Sequence, residues 1–432
     1  MKPDFRRRRE RVIEAIRPGA LVLFSAPLAI RNNDVEHEYR QDSDFYYLTG
    51  FDEPESALVL TTVPEPKLTM FVLPRDPERE TWDGPRAGVE GAVRDFGADA
   101  AFPIGELQNK LPELFENVES VHFAIGRVRE HDDLVLGALR RVRARGRAGV
   151  TAPRAIVDSF PTLHELRLIK GADELELMDR AAAITAEAHL LAMAQAAPGK
   201  FEYEIEAVLR AVFRRHGSER PAYTPIVGSG PNATILHHRR NDRQMQAGEL
   251  LLIDAGCEYG YYASDVTRTF PVSGKFSDEQ RSVYQIVLDA QLAAIAASVP
   301  GATLDEVHRA ASDVIVRGLI ELGAIAGPAE EALEKQLHKP FFMHKTSHYL
   351  GMDVHDVGSY HVAGKPRPLS PGMVITVEPG LYFAAHDERA PERLRGIGVR
   401  IEDDVLIAEG SPTVITRDIP KSIDEVERAC AR

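Results

Sequence analysis

Hydrophobic and polar positions follow two different patterns along the first 170 residues. Short apolar runs bounded by Gly, Pro, Asp or Asn predict strands, and apolar residues three and four positions apart predict helices. This alternation predicts an α/β domain that ends near residues 151–153, with 158–170 as a connection. The predicted strands are 20–26, 45–48, 56–62, 68–74 and 121–125, and the predicted helices are 104–115 and 132–143.

The chain after residue 170 begins with helical patterns and continues as strand–turn–strand segments. Ser277 is predicted to cap one helix, and Thr303 with Glu306 forms a capping box for another. We therefore predict two domains, a smaller α/β domain at 1–170 and a larger α+β domain at 171–432. The predicted helices of the larger domain are 172–197, 203–216, 278–299 and 304–323, and its strand–turn–strand segments are 250–270 and 374–407.

Composition and charge narrow the classes of partner. The 432 residues hold 66 acidic and 52 basic side chains, for a net charge of −14, which disfavours a broad surface for nucleic acid or anionic membrane. No apolar stretch reaches the length of about 18 residues that a membrane span needs. Two cysteines, Cys257 and Cys430, cannot build a disulfide framework, and this favours a reducing, cytoplasmic location.

The first thirty residues superficially resemble a signal peptide, because a basic run at 6–9 precedes a mostly apolar stretch at 20–30. Acidic residues within the basic part, and the interruption at Pro18-Gly19, disfavour a signal or transit peptide. We instead predict a first helix followed by a first buried strand.

Two aspartates are placed by one strand–turn–strand segment. Asp254 ends the apolar run 250–253, and Asp265 follows eleven residues later. Gly260 permits a hairpin that would bring the two carboxylates together. The alternative is that both are ordinary turn aspartates.

The second strand–turn–strand segment repeats this arrangement with glutamates. Glu378 ends the apolar run 373–377, and Glu402 is predicted to lie inside the next strand. An unpaired carboxylate in an apolar strand is costly to bury, so the alternative is that Glu402 points to solvent. Four carboxylates in two similar settings weaken that alternative.

Histidines cluster near these carboxylates in the sequence, with His344, His348 and His355 within twelve residues and His237 further upstream. Four converging carboxylates would repel one another and raise each other's pKa unless cations lie between them. Two divalent ions would balance the charge, and oxygen ligands with one imidazole favour Mn²⁺, with Co²⁺ or Zn²⁺ as alternatives. Two such ions would hold a bridging water and lower its pKa, giving a hydroxide for metal-assisted hydrolysis.

At this point the sequence resembles a known family, the Xaa-Pro aminopeptidases (aminopeptidase P), which belong to the pita-bread metallopeptidases. The resemblance implies an α/β N-terminal domain followed by an α+β pita-bread catalytic domain. It also implies hydrolysis of the N-terminal Xaa-Pro bond of peptides. The segments that carry it are 39–51, 252–256, 265–270, 347–351, 354–358, 376–380 and 398–403.

The resemblance also implies residue roles. Asp265 and Glu402 would bridge the two ions, usually manganese, and Glu378 would shuttle a proton as well as ligate. His237 and His355 would contact the substrate around the scissile bond. The full set of implied metal ligands is Asp254, Asp265, His348, Glu378 and Glu402, and His344, Arg400 and Tyr382 would lie behind the ligands or beside the proline pocket.

Some features depart from the family pattern or remain open. Lys345-Thr346 stands where Gly-Leu or a similar pair is expected, and the basic run 238–240 is interpreted as a solvated loop. The family suggests a homo-oligomer, a tetramer or dimer, in which the turn-like segment around Trp82 borders a neighbouring subunit's site. The rival functions are prolidase, which cleaves only Xaa-Pro dipeptides, and an inactive peptide-binding scaffold.

Overall fold

The computed structural model describes residues 3–431, and the chain forms two compact units that divide between Leu166 and Arg167. Both units mix helices and strands, so the predicted class, an α/β domain followed by an α+β domain, is confirmed. None of the helices described over these residues is long and apolar enough to cross a membrane. Cys257 and Cys430 are both buried, and neither is in a disulfide within the described residues.

The first unit is built on a six-stranded sheet with the strand order β6-β5-β4-β1-β7-β8, in which β1 is antiparallel to β4 and parallel to β7. The helices up to residue 168 are α1 (Phe5–Ile16), α2 (Ser43–Thr49), α3 (Pro77–Asp83), α4 (Gly88–Phe96), α5 (Leu107–Leu114), α6 (Arg129–Ala144) and α7 (Phe160–Leu168). The strands are β1 (Gly19–Phe24), β2 (Ile30–Asn32), β3 (Val35–Glu36), β4 (Ala57–Thr61), β5 (Lys67–Val72), β6 (Ala100–Pro103), β7 (Ser120–His122) and β8 (Ala155–Val157).

The predicted first helix and first buried strand are confirmed as α1 and β1, but two other predictions for this unit are wrong. The run 45–48 is part of helix α2 rather than a strand, because Asp42 caps the helix and Gly50 ends it in the left-handed region at φ 65°. Four apolar residues cannot distinguish a strand from a buried helical turn. The segment 158–170, interpreted as a connection, contains α7.

The second unit packs long helices around several small sheets. The predicted caps at Ser277 and Thr303 are confirmed, since each side chain accepts a backbone N–H of the helix that follows. The helices are α8 (Ala172–Gln195), α9 (Glu202–Arg215), α10 (Asp278–Ala297), α11 (Leu304–Glu321), α12 (Ala329–Glu334) and α13 (Ile423–Ala429). The strands are β9 (Arg220–Pro221), β10 (Ile226–Ser229), β11 (Leu250–Asp254), β12 (Cys257–Tyr259), β13 (Tyr262–Ala263), β14 (Thr267–Pro271), β15 (His361–Val362), β16 (Lys365–Pro366), β17 (Val374–Val377), β18 (Gly380–Tyr382), β19 (Gly398–Arg400), β20 (Asp403–Leu406) and β21 (Thr413–Val414).

Two antiparallel strand pairs bring the candidate ligands into register. β11 pairs with β14 so that Asp254 lies opposite Thr267, and β17 pairs with β20 so that Val377 lies opposite Asp403. Just beyond the first pairing, Gly256 lets the chain approach Ser264 closely, because a Cβ at this position would lie 1.7 Å from the Ser264 carbonyl oxygen. The ends of both pairs therefore deliver carboxylates to one region.

Candidate metal centre

The four candidate carboxylates all lie at strand ends. Asp254 is the last residue of β11, Asp265 lies just before β14, and Glu378 follows β17. Glu402 lies in the break between β19 and β20, so its predicted place inside a strand is wrong. Its side chain is nevertheless only 2% exposed, which excludes the solvent-facing alternative, and both aspartates are buried rather than exposed in turns.

One imidazole meets this set of carboxylates. Ligand atoms of Asp265, His348 and Glu402 all lie within 4.8 Å of one another. The Nε2 atom of His348 is 3.4 Å from Asp265 Oδ2 and 3.6 Å from Glu378 Oε1. Nδ1 of His348 lies 3.0 Å from the Tyr349 carbonyl oxygen and donates to it, which aims Nε2 at the carboxylates.

Asp254 joins the set through a tyrosine that sequence reasoning missed. The Tyr223 hydroxyl oxygen lies 2.5 Å from Asp254 Oδ1 and 2.5 Å from Asp265 Oδ1. One phenolic proton can satisfy only one of these two carboxylates. The other carboxylate is left without that proton, and a positive charge nearby would stabilise it. Arg400 supplies one on the far side, with Nη2 donating to Asp254 Oδ2 at 2.6 Å.

The pKa shifts at the site have the pattern expected of a cation site. Burial raises the pKa of Asp254, and it raises that of Glu378 to about 7. Burial and the charges of Asp265 and Glu378 raise the pKa of Glu402 well above its usual range. Burial alone lowers the pKa of His348, but Asp265 and Glu378 outweigh it and raise it to about 9. The site attracts positive charge, and its donors fit divalent metal ions.

A buried scaffold holds the carboxylates from behind. Thr267 Oγ1 donates to Glu402 Oε2 at 2.6 Å, and Asp404 accepts the backbone N–H of Asp265 at 3.2 Å. The fully buried Arg268 donates through Nη1 to the Glu402 carbonyl at 2.5 Å and through Nη2 to Asp403 at 2.7 Å. The motif 265–270 hinted at Thr267 and Arg268. Tyr223 lies in a separate segment with no motif of its own, so no signal in the sequence indicated it.

The three residues predicted to lie behind the ligands or beside the proline pocket, His344, Arg400 and Tyr382, form one hydrogen-bonded group. Tyr382 accepts a hydrogen bond from Arg400 Nη1 at 3.0 Å, and its hydroxyl lies 2.9 Å from His344 Nε2. His344 Nδ1 lies 2.8 Å from the Lys345 carbonyl and donates to it, so Nε2 accepts the tyrosine proton. Burial and the charge of Arg400 lower the pKa of His344 to about 4, which keeps the imidazole neutral.

Two further histidines stand exposed at the rim of the site. The ring of His355 contacts that of His348 edge-on, with centroids 4.4 Å apart. His237 is exposed, and its charge is among the causes that lower the pKa of His344 and of His355. The predicted solvated loop at 238–240 is wrong at its first residue, because His238 is buried against Glu202.

The departure from the family pattern at 345–346 leaves the ligand positions intact. Thr346 is fully buried, and its hydroxyl lies 2.8 Å from His308 Nδ1. Its carbonyl accepts the backbone N–H of Glu378 at 2.8 Å. Lys345 points outward to an exposed ion pair with Asp305. Threonine therefore replaces the expected apolar residue with a buried hydroxyl that has a partner.

Comparison with known proteins defines the class. Residues 176–409 match the family described as metallopeptidase family M24, and residues 5–122 match the aminopeptidase P N-terminal domain. The chain therefore belongs to metallopeptidase family M24, in the branch that carries the aminopeptidase P N-terminal domain.

Individual relatives agree over nearly the full length. The Xaa-Pro aminopeptidase of Escherichia coli K12 is 43% identical over 429 residues, covering 99% of this chain and 97% of the relative. The structure of Pseudomonas aeruginosa aminopeptidase PepP has a TM-score of 0.96 at 45% identity, covering 99% of this chain and 97% of that one. A zinc-substituted E. coli aminopeptidase P in complex with product has a TM-score of 0.96 at 43% identity and the same coverage. The predicted family resemblance is confirmed.

Proposed function

We propose that this chain is an Xaa-Pro aminopeptidase, a metal-dependent exopeptidase that removes the N-terminal residue of peptides with proline in second position. The observation that carries the proposal is the convergence of the buried Asp265 and Glu402 with the half-buried His348, whose ligand atoms all lie within 4.8 Å of one another. Asp254 and Glu378 flank this group. Full-length similarity to proteins named Xaa-Pro aminopeptidase supports the same substrate class.

We assign five ligands to two divalent ions, with manganese as the favoured metal and cobalt or zinc as alternatives. When bound, such ions neutralise the carboxylates and lower the pKa of water, which supplies a nucleophile at neutral pH. Carboxylate oxygens with a single imidazole nitrogen are a hard to borderline donor set, which supports manganese. The assigned ligands are Asp254, Asp265, His348, Glu378 and Glu402.

Glu378 is the proton carrier in this proposal. Its Oε1 atom lies 3.6 Å from His348 Nε2, within the proposed ligand set, and a carboxylate at this place can accept a proton and release it during the reaction. The Xaa-Pro bond is a tertiary amide, and its nitrogen leaves only when it becomes protonated. Glu378 takes a proton from the attacking water and delivers it to that nitrogen.

The rim histidines and the buried tyrosine serve the substrate. His237 and His355, which are exposed beside the carboxylates, bind around the scissile carbonyl and stabilise the charge that develops on its oxygen. Tyr382 and Arg400 form the wall facing the proline ring, and neutral His344 holds the Tyr382 hydroxyl in place at 2.9 Å. Proline carries no amide N–H, so a pocket for it needs shape rather than an acceptor.

We further propose a cytoplasmic homo-oligomer, either a tetramer or a dimer. Two buried cysteines outside any disulfide support a reducing compartment. Trp82 on α3 is 84% exposed, and α3 has no buried residue, which supports a neighbouring subunit as its partner.

The test compares two substrates with metal-stripped protein resupplied with Mn²⁺. One is an Xaa-Pro dipeptide, and the other is a peptide of the form Xaa-Pro-Yaa-Zaa. Faster metal-dependent release of the first residue from the longer peptide is the expected result. Cleavage of the dipeptide alone would move the assignment to prolidase. Absence of bound metal would favour the scaffold function.

A further inference from the structure

Glu202, the first residue of α9, lies fully buried behind the loop that carries His237. We call residues 229–243 the His237 loop. The Glu202 carboxylate accepts hydrogen bonds from four residues of this loop, at both of its ends and in its middle. The donors are Ser229 N at 2.6 Å, Ser229 Oγ at 2.8 Å, Asn232 Nδ2 at 3.0 Å, His238 Nε2 at 3.0 Å and Arg243 N at 3.0 Å.

This group is a hydrogen-bonded hub rather than a second metal site. Glu202, His238 and Asp242 are close enough together to suggest ligands. Five donors, however, occupy the lone pairs of the Glu202 carboxylate. Asp242 is exposed and pairs with Arg240 at 2.6 Å. These contacts indicate that Glu202 acts on the conformation of the His237 loop.

The ends of the loop are fixed again by a second layer of contacts. Arg243 makes a two-pronged ion pair with Glu249, at 2.6 Å and 2.5 Å. Asn241 adopts a left-handed conformation at φ 48°, and its side chain accepts from Val227 N at 3.0 Å and donates to Glu206 at 2.7 Å. These anchors leave little freedom to the segment between them.

His237 and His238 have opposite environments although they are neighbours. His238 is 8% exposed and bound to Glu202, whereas His237 is exposed. The loop also packs on the proposed substrate wall, because Ala233 and Leu236 share an apolar cluster with Tyr382. A shift of the loop would therefore move His237 relative to Tyr382.

We propose that Glu202 is a positioning residue for His237: its hydrogen bonds with five donor atoms of the His237 loop set where the exposed imidazole lies in the site. The proposal rests on the proposed function, in which His237 contacts the substrate. A misplacement of about 1 Å can cost about 100-fold in rate, which makes such anchoring consequential.

The experiment is a double-mutant cycle with Glu202→Gln and His237→Ala, measured as kcat/KM on an Xaa-Pro-Yaa-Zaa peptide with Mn²⁺. The glutamine keeps the volume but turns an NH₂ group toward donors. We expect Glu202→Gln alone to lower kcat/KM about tenfold or more, and to lower it less than about twofold when His237 is already alanine. Bound metal should stay at the wild-type level in both backgrounds.

The matched control is Glu204→Gln, the same change two residues along α9 at an exposed helix-capping side chain. We expect it to leave kcat/KM within about twofold of wild type. If Glu202→Gln does not fold, His238→Ala removes one donor from the hub and enters the same cycle.

Two results would overturn the positioning role. One is a loss that multiplies with that of His237→Ala, since Glu202 would then act independently of that imidazole. The other is wild-type kcat/KM for Glu202→Gln. A wild-type enzyme that fails to cleave Xaa-Pro peptides would reject the proposed function itself. In that case, hydrogen exchange of residues 229–243 tests separately whether Glu202 holds the His237 loop in place. Unchanged protection of these residues in Glu202→Gln would reject that role.

Discussion

The carboxylates of the candidate metal centre and the two exposed histidines at its rim are held in place in different ways. Three of the carboxylates, Asp254, Asp265 and Glu402, are buried at the ends of paired strands. His237 and His355 are exposed and lie on loops. Strand register places the carboxylates through backbone hydrogen bonds that are part of the sheet. A loop has no such register, so its functional side chain needs anchors from elsewhere in the chain.

The two histidine loops have anchors of opposite charge. A buried acid, Glu202, holds the His237 loop. The neighbour of His355, Asp356, is held by two buried cations, with Lys170 Nζ at 2.8 Å and Arg167 Nη2 at 2.7 Å. In both loops, a buried polar residue directly follows an exposed histidine. In each loop, the backbone at the exposed histidine is therefore adjacent to a side chain that buried polar contacts hold in place.

The largest effect on kcat/KM should come from a substitution among the carboxylates of the candidate metal centre. Asp265→Ala removes one of the proposed metal ligands. We expect it to lower metal content and to reduce kcat/KM at least about 1,000-fold, because the metal supplies several kcal/mol of transition-state stabilisation. Metal analysis and peptide hydrolysis check this, with the exposed Asp289→Ala as control. Full metal content in Asp265→Ala would remove this residue from the ligand set.

The next effect tests the buried ion pairs of Asp356, the neighbour of His355. Lys170→Met leaves the buried Asp356 with Arg167 but without its second cation. We expect the free energy of unfolding to fall by about 3 kcal/mol, the low end of the range for broken buried pairs. Urea denaturation measures it. Lys335→Met, which breaks an exposed pair with Glu331, is the control and should cost less than about 1 kcal/mol. Equal losses of unfolding free energy in the two variants would mean that the buried ion pair contributes no more to stability than the exposed one.

Tyr223→Phe tests the link between two carboxylates. The change removes the hydroxyl that lies 2.5 Å from both Asp254 and Asp265. Groups that orient metal ligands typically contribute about 10- to 100-fold to metal affinity. We expect a loss of about tenfold in affinity for Mn²⁺, with the fold unchanged. Affinity equal to wild type would show that the strands alone orient these ligands.

A smaller effect is expected in the acid dependence of stability. Burial alone raises the pKa of Asp356, but Lys170 and Arg167 outweigh it and lower the pKa below its usual value. The contribution of ionised Asp356 to the free energy of unfolding is therefore fully present above the unfolded-state pKa of about 4. It is lost as pH falls through the lowered folded-state pKa. Asp356→Asn should lose less stability than wild type on acidification below about pH 5. Parallel curves of unfolding free energy against pH would contradict this.

Trp82→Ala should have the smallest effect on stability, within about 0.5 kcal/mol, because the side chain is 84% exposed. If Trp82 borders a neighbouring subunit's site, the change should instead alter oligomeric state or the kinetics of longer peptides. Light scattering and kcat/KM for peptides of increasing length measure both. Unchanged values of both would reject this role for Trp82.

Local sequence signals predicted much of the fold correctly. The caps at Ser277 and Thr303 and the hairpin between Asp254 and Asp265 need only neighbouring residues, and the structure has them. Predictions failed where residues outside the predicted segment determine its secondary structure. The run 45–48 is helical because Asp42 and Gly50 cap it, and Glu402 lies in a break between strands.

The sequence by itself determined which carboxylates and histidines are available and most of the helices and strands around them, because these depend on periodicity, caps and turns. Only the tertiary structure decided their surroundings. Tyr223 meets Asp265 across 42 residues, Glu202 meets His238 across 36, and Lys170 meets Asp356 across 186. Such contacts leave no periodic trace in the sequence, because they arise only when separate segments pack and buried polar groups must find partners.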